Sequence, residues 1–301
     1  MKTTLNHILA SLITAGAVAL GTSAVRAQAT GHLAEGLLLS TQIADQAAQG
    51  IFTDAANVPL NQYGGSWSAS AGKPKSGYSL AKPGSPARNL TTCAPLISRL
   101  LQNVYGWKWS NYSFFDPVTS TVVTTASPYP YQMVALLNAG KGFTGSTTDL
   151  DQAVAGDVLL FWRPSQPTDD HAALFIEARW DDAVSYPTGL PASVPALAGS
   201  RLVPVEILDS TGDTLHSEDS RLIERPAGTF TVTHGIGTGV IGILVAADGQ
   251  VLGHTWSLPT NGDPTSADAD VRNAWVINLN SRLETQTGAG ARSIVFGHLA
   301  L

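Results

Sequence analysis

An α+β fold is expected for this chain of 301 residues, on two observations. Apolar residues recur at helical spacing in the first half, whereas short apolar, β-branched runs bounded by turn residues crowd the second. Helices that come first and mostly antiparallel strands that follow are the order of an α+β domain. Hydrophobic residues make up 44% of the chain, enough for a substantial core.

Taken in order, residues 1–29 read as a secretory signal peptide. Lys2 precedes the apolar run "ILASLITAGAVAL", and small residues lead to "VRAQA", with cleavage expected after Ala27 or Ala29. The run from Ile8 to Leu20 is too short to span a membrane. Export to the periplasm or the outside follows as an expectation, with no membrane anchor left after cleavage. Removing Lys2 and Arg26, with no acid lost, takes the net charge from −6 to −8. That balance argues against a nucleic-acid partner. The remaining residues, 30–301, read as a single domain.

Leu33, Leu37, Ala44 and Ala47 place one apolar face on a helix over 31–49. Gly, Pro, Ser and Lys then dominate 57–88, which reads as a long loop. In "TTCAPLISRLLQNVYGW", Leu96, Ile97, Leu100, Leu101 and Val104 follow the i, i+3, i+4, i+7 pattern, with Gly106 as the stop. Thr91 or Thr92 is the expected N-cap, and Pro95 is tolerated because first-turn amides have no intrahelical partner. Another helix is expected at "YQMVALLNAGKGF". "AGDVLLFW" and "HAALFIEARW" read as neighbouring strands, 180–200 as an insertion, and "RLVPVEILDST" as a strand ending near Asp209. A D-G turn at 248–249 marks a hairpin.

Cys93 is the chain's single cysteine, so it forms no internal disulfide, and a lone thiol in an exported protein is either intermolecular, reactive or a small buried hydrophobe. Its place at a helix start, where unbonded amides favour a thiolate, tilts the reading toward reactivity. Thiol catalysis also needs a base and a group to orient it. His171 opens a strand and Asp209 ends one, and both are candidates. His216, in "DTLHSEDSR", is a rival third residue. The neighbouring Glu218, Asp219 and Arg221 read as a surface loop with a salt bridge, or as a cleft wall contacting substrate, rather than as metal ligands. No cofactor is expected, and "GIGTG" lacks the context of a dinucleotide fingerprint.

The order "TTCAPLISRLL", "AGDVLLFWR", "DDHAALFIE", "VEILDST" resembles the papain-like cell-wall cysteine hydrolases of the NlpC type. It is similar above all to secreted bacterial members that share "LDSTGDTLHSEDSR", "HGIGTGVIGI" and "VFGHL". The resemblance spans roughly residues 90–301, and because the gap from Cys93 to His171 is longer than in compact members, it implies that 108–150 is an insertion over the cleft. It implies a papain-like fold, with N-terminal helices packed on a small, mostly antiparallel sheet. It also implies Cys93 as nucleophile, His171 as base and Asp209 as the orienting residue. An upstream tyrosine often helps hold the oxyanion in such proteins; Tyr78 and Tyr63 both qualify, and His216 is a further substrate-side candidate.

The function expected from these readings is a secreted or periplasmic cysteine peptidase or amidase that cleaves an amide bond through a thioacyl intermediate. Its expected partner is a peptide or a peptidoglycan fragment. Where the family commonly has Asp-Cys-Ser, this chain has Thr92-Cys93-Ala94. Those flanks motivate the alternatives, a catalytically inactive binding module or an acyltransferase on the same scaffold.

Overall fold

A computed structural model describes residues 31–64, 77–163, 170–185, 199–212, 216–225, 229–258, 278–279 and 293–301. The signal-peptide expectation lies outside the described residues. Three helices are seen: α1 (Gly31–Ala48), α2 (Cys93–Tyr105) and α3 (Pro130–Asn138). The strands in chain order are β1 (Tyr78–Ser79), β2 (Arg88–Asn89), β3 (Phe114–Asp116), β4 (Thr121–Val123), β5 (Phe143–Thr147), β6 (Val158–Trp162), β7 (His171–Ala178) and β8 (Val184–Ser185). They continue with β9 (Arg201–Thr211), β10 (Leu222–Arg225), β11 (Thr229–Val232), β12 (Gly235–Val245), β13 (Val251–Thr255), β14 (Asn278–Leu279) and β15 (Ser293–Leu299).

The α+β class agrees with the expectation, but the sheet is large rather than small. Nine strands run in the order β14-β13-β12-β9-β7-β6-β15-β5, with β8 paired to the start of β9. Every neighbouring pair is antiparallel. The expected neighbours β6 and β7 are paired, and β12 and β13 form the hairpin around Gly249.

Side chains alternate across a strand, so the central strands β6, β7 and β9 feed two cores. Val158, Leu160, Ala172, Leu174 and Leu208 face the layer built from α1, α2 and α3. Leu159, Phe161, Ala173, Phe175, Val205 and Ile207 face the opposite side, with Ile241, Ile243 and Phe296. Apolar residues on both faces explain why these strands read as continuous hydrophobic runs.

Segment 108–150 is packed into the domain. Met133, Leu136 and Leu137 of α3 belong to the helix-side core, and β5 forms an edge of the main sheet against β15. Its β3-β4 hairpin alone stands apart from that sheet. Loop 57–88 is tied at its ends, where Asn61 bridges Asn89 and Tyr78 pairs with Asn89. Within 180–200, β8 adds to β9, and residues 186–198 lie outside the described ones.

Candidate active site

Helix α2 packs against α1 and against strands β7 and β9. Thr92 is extended, with φ −91° and ψ 178°, and precedes the first helical residue, Cys93. The expected threonine cap is only a backbone cap, because the Thr92 side chain makes no capping hydrogen bond. The helix ends as expected at Gly106, which is left-handed at φ 67° and donates its N–H to the Gln102 carbonyl.

The residues before Cys93 are fastened to the sheet. Ser210 Oγ donates to the Thr91 carbonyl at 2.7 Å, and Thr91 Oγ1 donates to Asn89 Oδ1 at 2.6 Å. Ser210 follows Asp209 directly, so this bond sets the spacing between the thiol's loop and the carboxylate. Asn61 extends the clamp by accepting from the Ile236 N–H and donating to the Ile236 carbonyl, both at 2.9 Å.

His171 is the first residue of β7, and its Nε2 lies 2.8 Å from Asp209 Oδ2. The ring's other nitrogen, Nδ1, is therefore the one left for the Cys93 thiol, to which His171 is hydrogen-bonded. The Sγ also accepts from the backbone amides of Ala172 and Ala94. Cys93 belongs to the helix-side core, whereas Asp209 lies on the opposite face of β9 from Leu208. The start of β7 is where the two layers meet. Cys93 is 5% exposed and the His171 side chain 12%, while the Asp209 side chain has no exposure.

Behind Asp209 is a closed set of charges. Its Oδ1 accepts from Arg221 Nη1 at 2.8 Å, and its Oδ2 also faces His216 Nε2 at 3.0 Å. Arg221 is held in turn by Asp219, through Nε at 2.8 Å and Nη2 at 2.7 Å, and it reaches the Gly235 carbonyl at 3.1 Å. The salt bridge expected in this segment is present between Arg221 and Asp219, but the surface reading is overturned, since His216, Asp219 and Arg221 are all buried. Asp209 itself sits inside β9 with both oxygens engaged across the site.

Room for this network comes from the "GIGTG" run of β12. Gly235, Gly237 and Gly239 share one face of the strand, with Gly237 directly opposite Asp209. A Cβ on Gly237 would lie 2.7 Å from Arg221 Cγ, and one on Gly239 would lie 2.6 Å from His216 Cβ. The glycines leave that face of the sheet bare, and the arginine and histidine lie on it. No dinucleotide enters this account.

The electrostatics follow from these contacts. Burial pushes the Asp209 carboxyl up, but the Arg221 and His216 charges and the two imidazole hydrogen bonds more than reverse it, leaving the group well below the ordinary carboxylate range. Burial pulls His171 down, and its hydrogen bonds to Asp209 and Cys93 outweigh that, raising it to about 9. Burial also pushes the Cys93 thiol up, yet the hydrogen bond and charge of His171, with the two backbone amides, bring it below its ordinary value. A thiolate facing an imidazolium is the state these shifts favour.

The structure thus brings Cys93, His171 and Asp209 together, with His216 behind the carboxylate rather than on the substrate side. Tyr78 is a correction. Its hydroxyl donates to Glu35 Oε1 and bonds Asn103, ten residues along α2 from Cys93, which is roughly 15 Å at 1.5 Å per residue. Tyr63 lies near the Cys93 end of α2: a Cβ on Gly212, just past β9, would lie 2.7 Å from Tyr63 Cδ1, and one on Gly64 would lie 3.2 Å from Thr92 Cγ2.

Sequence reasoning missed the buried role of Arg221, although the spacing Asp219-x-Arg221 and the alternating glycines were both visible. The Trp256 ring stands edge-on to His171 with centroids 5.4 Å apart, and its carbonyl faces His216 Nδ1 at 2.8 Å. Among the described residues, no group of three or more His, Cys, Asp or Glu is arranged to hold a metal ion. Comparison of the chain with protein-family models, curated proteins and solved structures finds no match in any of the three.

Proposed function

We propose that this chain is an exported, papain-like cysteine hydrolase that cleaves an amide bond, with the stem peptides of peptidoglycan as its substrate class. The observation that carries the reading is the hydrogen-bonded series from Cys93 at the start of α2 through His171 to the buried Asp209. Export and the cell-wall substrate rest on the N-terminal pattern and on the family resemblance.

In this reading the Cys93 thiolate attacks the carbonyl carbon, and the carbonyl π electrons move onto oxygen. That oxyanion is held by the Cys93 backbone N–H at the open end of α2, where Pro95 offers no N–H and the Leu96 N–H already bonds the Thr92 carbonyl. Collapse breaks the C–N bond as the His171 imidazolium gives its Nδ1 proton to the leaving amine, leaving a thioester on Cys93. His171, now neutral, takes a proton from water as that water attacks the thioester, and the carboxylic acid product leaves with the thiolate restored. Asp209 stays ionised throughout and keeps the imidazole in one orientation.

Cys93→Ala is expected to abolish release of new amino groups from a muropeptide digest, and retained turnover would overturn the reading. His171→Ala is expected to slow alkylation of Cys93 by iodoacetamide at pH 7 to the rate of a model thiol. An unchanged rate, together with an inert wild-type protein, would favour the binding module instead.

A further inference from the structure

We propose that His216 is a second, positively charged histidine of the site, a positioning residue that carries a proton on each ring nitrogen and, together with Arg221, fixes Asp209 against His171. The inference deepens the hydrolase reading and rests on it for the role of His171 as base.

His216 faces an oxygen at each of its two ring nitrogens. Its Nδ1 is 2.8 Å from the Trp256 carbonyl and its Nε2 is 3.0 Å from Asp209 Oδ2. Both are acceptors. A neutral imidazole has one N–H and one lone pair, so either tautomer would set a lone pair against an oxygen at hydrogen-bond distance. Only the doubly protonated ring satisfies both contacts. The side chain is 1% exposed, so water cannot relieve a mismatch.

Charge balance points the same way. The thiolate, the imidazolium of His171, Asp209, Arg221 and Asp219 together carry one excess negative charge, and a cationic His216 brings the buried set to zero. An uncompensated charge in such a place is costly. The groups that face His216 are Asp209 from β9, Asp219 and Arg221 from its own loop, and the uncharged Gly239 and Trp256 carbonyl. Asp219 holds the ring's own backbone, accepting the His216 N–H at 2.9 Å.

His216 and His171 share one oxygen, Asp209 Oδ2, and this gives the second histidine its effect. A positive charge on that oxygen draws on the same lone pairs that hold the His171 imidazolium. It thereby limits how far Asp209 can raise His171 and keeps the imidazolium acidic enough to protonate a leaving amine. Removing the charge should raise His171 further and loosen the ring.

The test pairs a variant with a direct observation of the unaltered chain. In His216→Gln, the upper limb of the pH profile for kcat/KM and for Cys93 alkylation should move up by about one pH unit, with kcat falling more than KM changes. A folded variant whose upper limb stays in place would overturn the proposal, because a merely structural histidine would not move it. Should the variant fail to fold, nitrogen NMR of the full wild-type chain still decides. At pH 7 a buried histidine other than His171 should show protons on both ring nitrogens, and a neutral tautomer at His216 would overturn the proposal. Doubly protonated His216 in a chain that hydrolyses nothing would instead sink the hydrolase reading and leave this one standing.

Discussion

Two histidine–aspartate pairs lie in the same sheet at the same separation, and they behave in opposite ways. His171 Nε2 is 2.8 Å from Asp209, and His298 Nδ1 of β15 is 2.8 Å from Asp157 in the turn before β6. Asp209 is driven well below the ordinary carboxylate range against the effect of burial, chiefly by the Arg221 charge. Asp157 is raised, because burial prevails over the Val154 amide and His298 that bond it. The Asp209 pair has two cationic side chains behind the carboxylate and a thiol in front of the imidazole. The Asp157 pair has a backbone amide on one side, and His298 is 29% exposed on the other. The distance between a histidine and an aspartate therefore does not make a site. What surrounds the carboxylate decides whether it is held as an anion against the effect of burial.

The largest expected difference between the pairs comes from removing the charge at Asp209. Asp209→Asn leaves Arg221 and His216 facing an amide and turns a donor toward His171 or Arg221. Breaking a buried ion pair on one side costs about 3–5 kcal/mol, measurable as a fall in the urea midpoint. The remaining activity is expected to drop by about 10²–10⁴-fold, the usual worth of an oriented acid–base group. An active, equally stable Asp209→Asn protein would show that the network behind the carboxylate is incidental.

Titration separates the pairs next. Because Cys93 is lowered and His171 is raised to about 9, the thiolate–imidazolium pair should persist through neutral pH. Alkylation of Cys93 should stay fast below the ordinary thiol range, and hydrolysis should fall as pH rises through about 9 and His171 loses its proton. The stability contributions differ in sign. That of His171 is complete below its ordinary 6.5 and is lost as pH rises through about 9. That of Asp209 is present above its ordinary 3.8 and is lost only as pH falls through its depressed value. Asp157, raised, costs stability when ionised, so mild acid relieves it. Urea midpoints across pH would expose these opposed slopes.

A smaller effect is expected at the bare face of β12. Gly239→Ala puts a Cβ 2.6 Å from His216 Cβ, an atom close to the main chain that cannot swing aside, and overpacking of this kind costs about 1–3 kcal/mol. The shift should appear in the urea midpoint and also in the alkylation rate of Cys93, because a displaced His216 disturbs Asp209. A stability loss without any change at the thiol would confine the glycines to a packing role.

That glycine strip also marks the boundary of what the residues alone disclosed. Helix α2, the neighbouring β6 and β7, and the order of Cys93, His171 and Asp209 were legible because each rests on local periodicity or on a residue type at an element's end. Arg221 was not, because its burial depends on Gly237 across the sheet and on a carboxylate twelve residues away. Charged residues in a polar stretch look solvated until the surface that accepts them is known. The extent of the sheet was hidden for a similar reason. Nothing local in "SIVFGHL" tells that β15 inserts between β6 and β5, and β5 is a short, Thr- and Gly-containing strand whose partner lies at the far end of the chain.

The smallest expected effect sharpens the comparison most, since it asks whether the second pair matters to the first. Asp157 bonds the Val154 N–H at 2.9 Å through Oδ2 and His298 through Oδ1. In Asp157→Asn the side-chain carbonyl can keep the Val154 bond, and the neutral amide escapes the burial cost that raises the acid. The loss of the His298 contact, on a ring already partly in water, offsets that gain. Net stability at pH 7 should change by less than about 1 kcal/mol, the scale of one exposed ion pair. The Cys93 alkylation profile should overlay that of the unaltered protein, since neither Asp157 nor His298 bonds any member of the Cys93 series. A displaced profile would mean that charge at the turn before β6 reaches His171 through the β6-β7 pairing, and the two pairs would then have to be treated as one electrostatic unit.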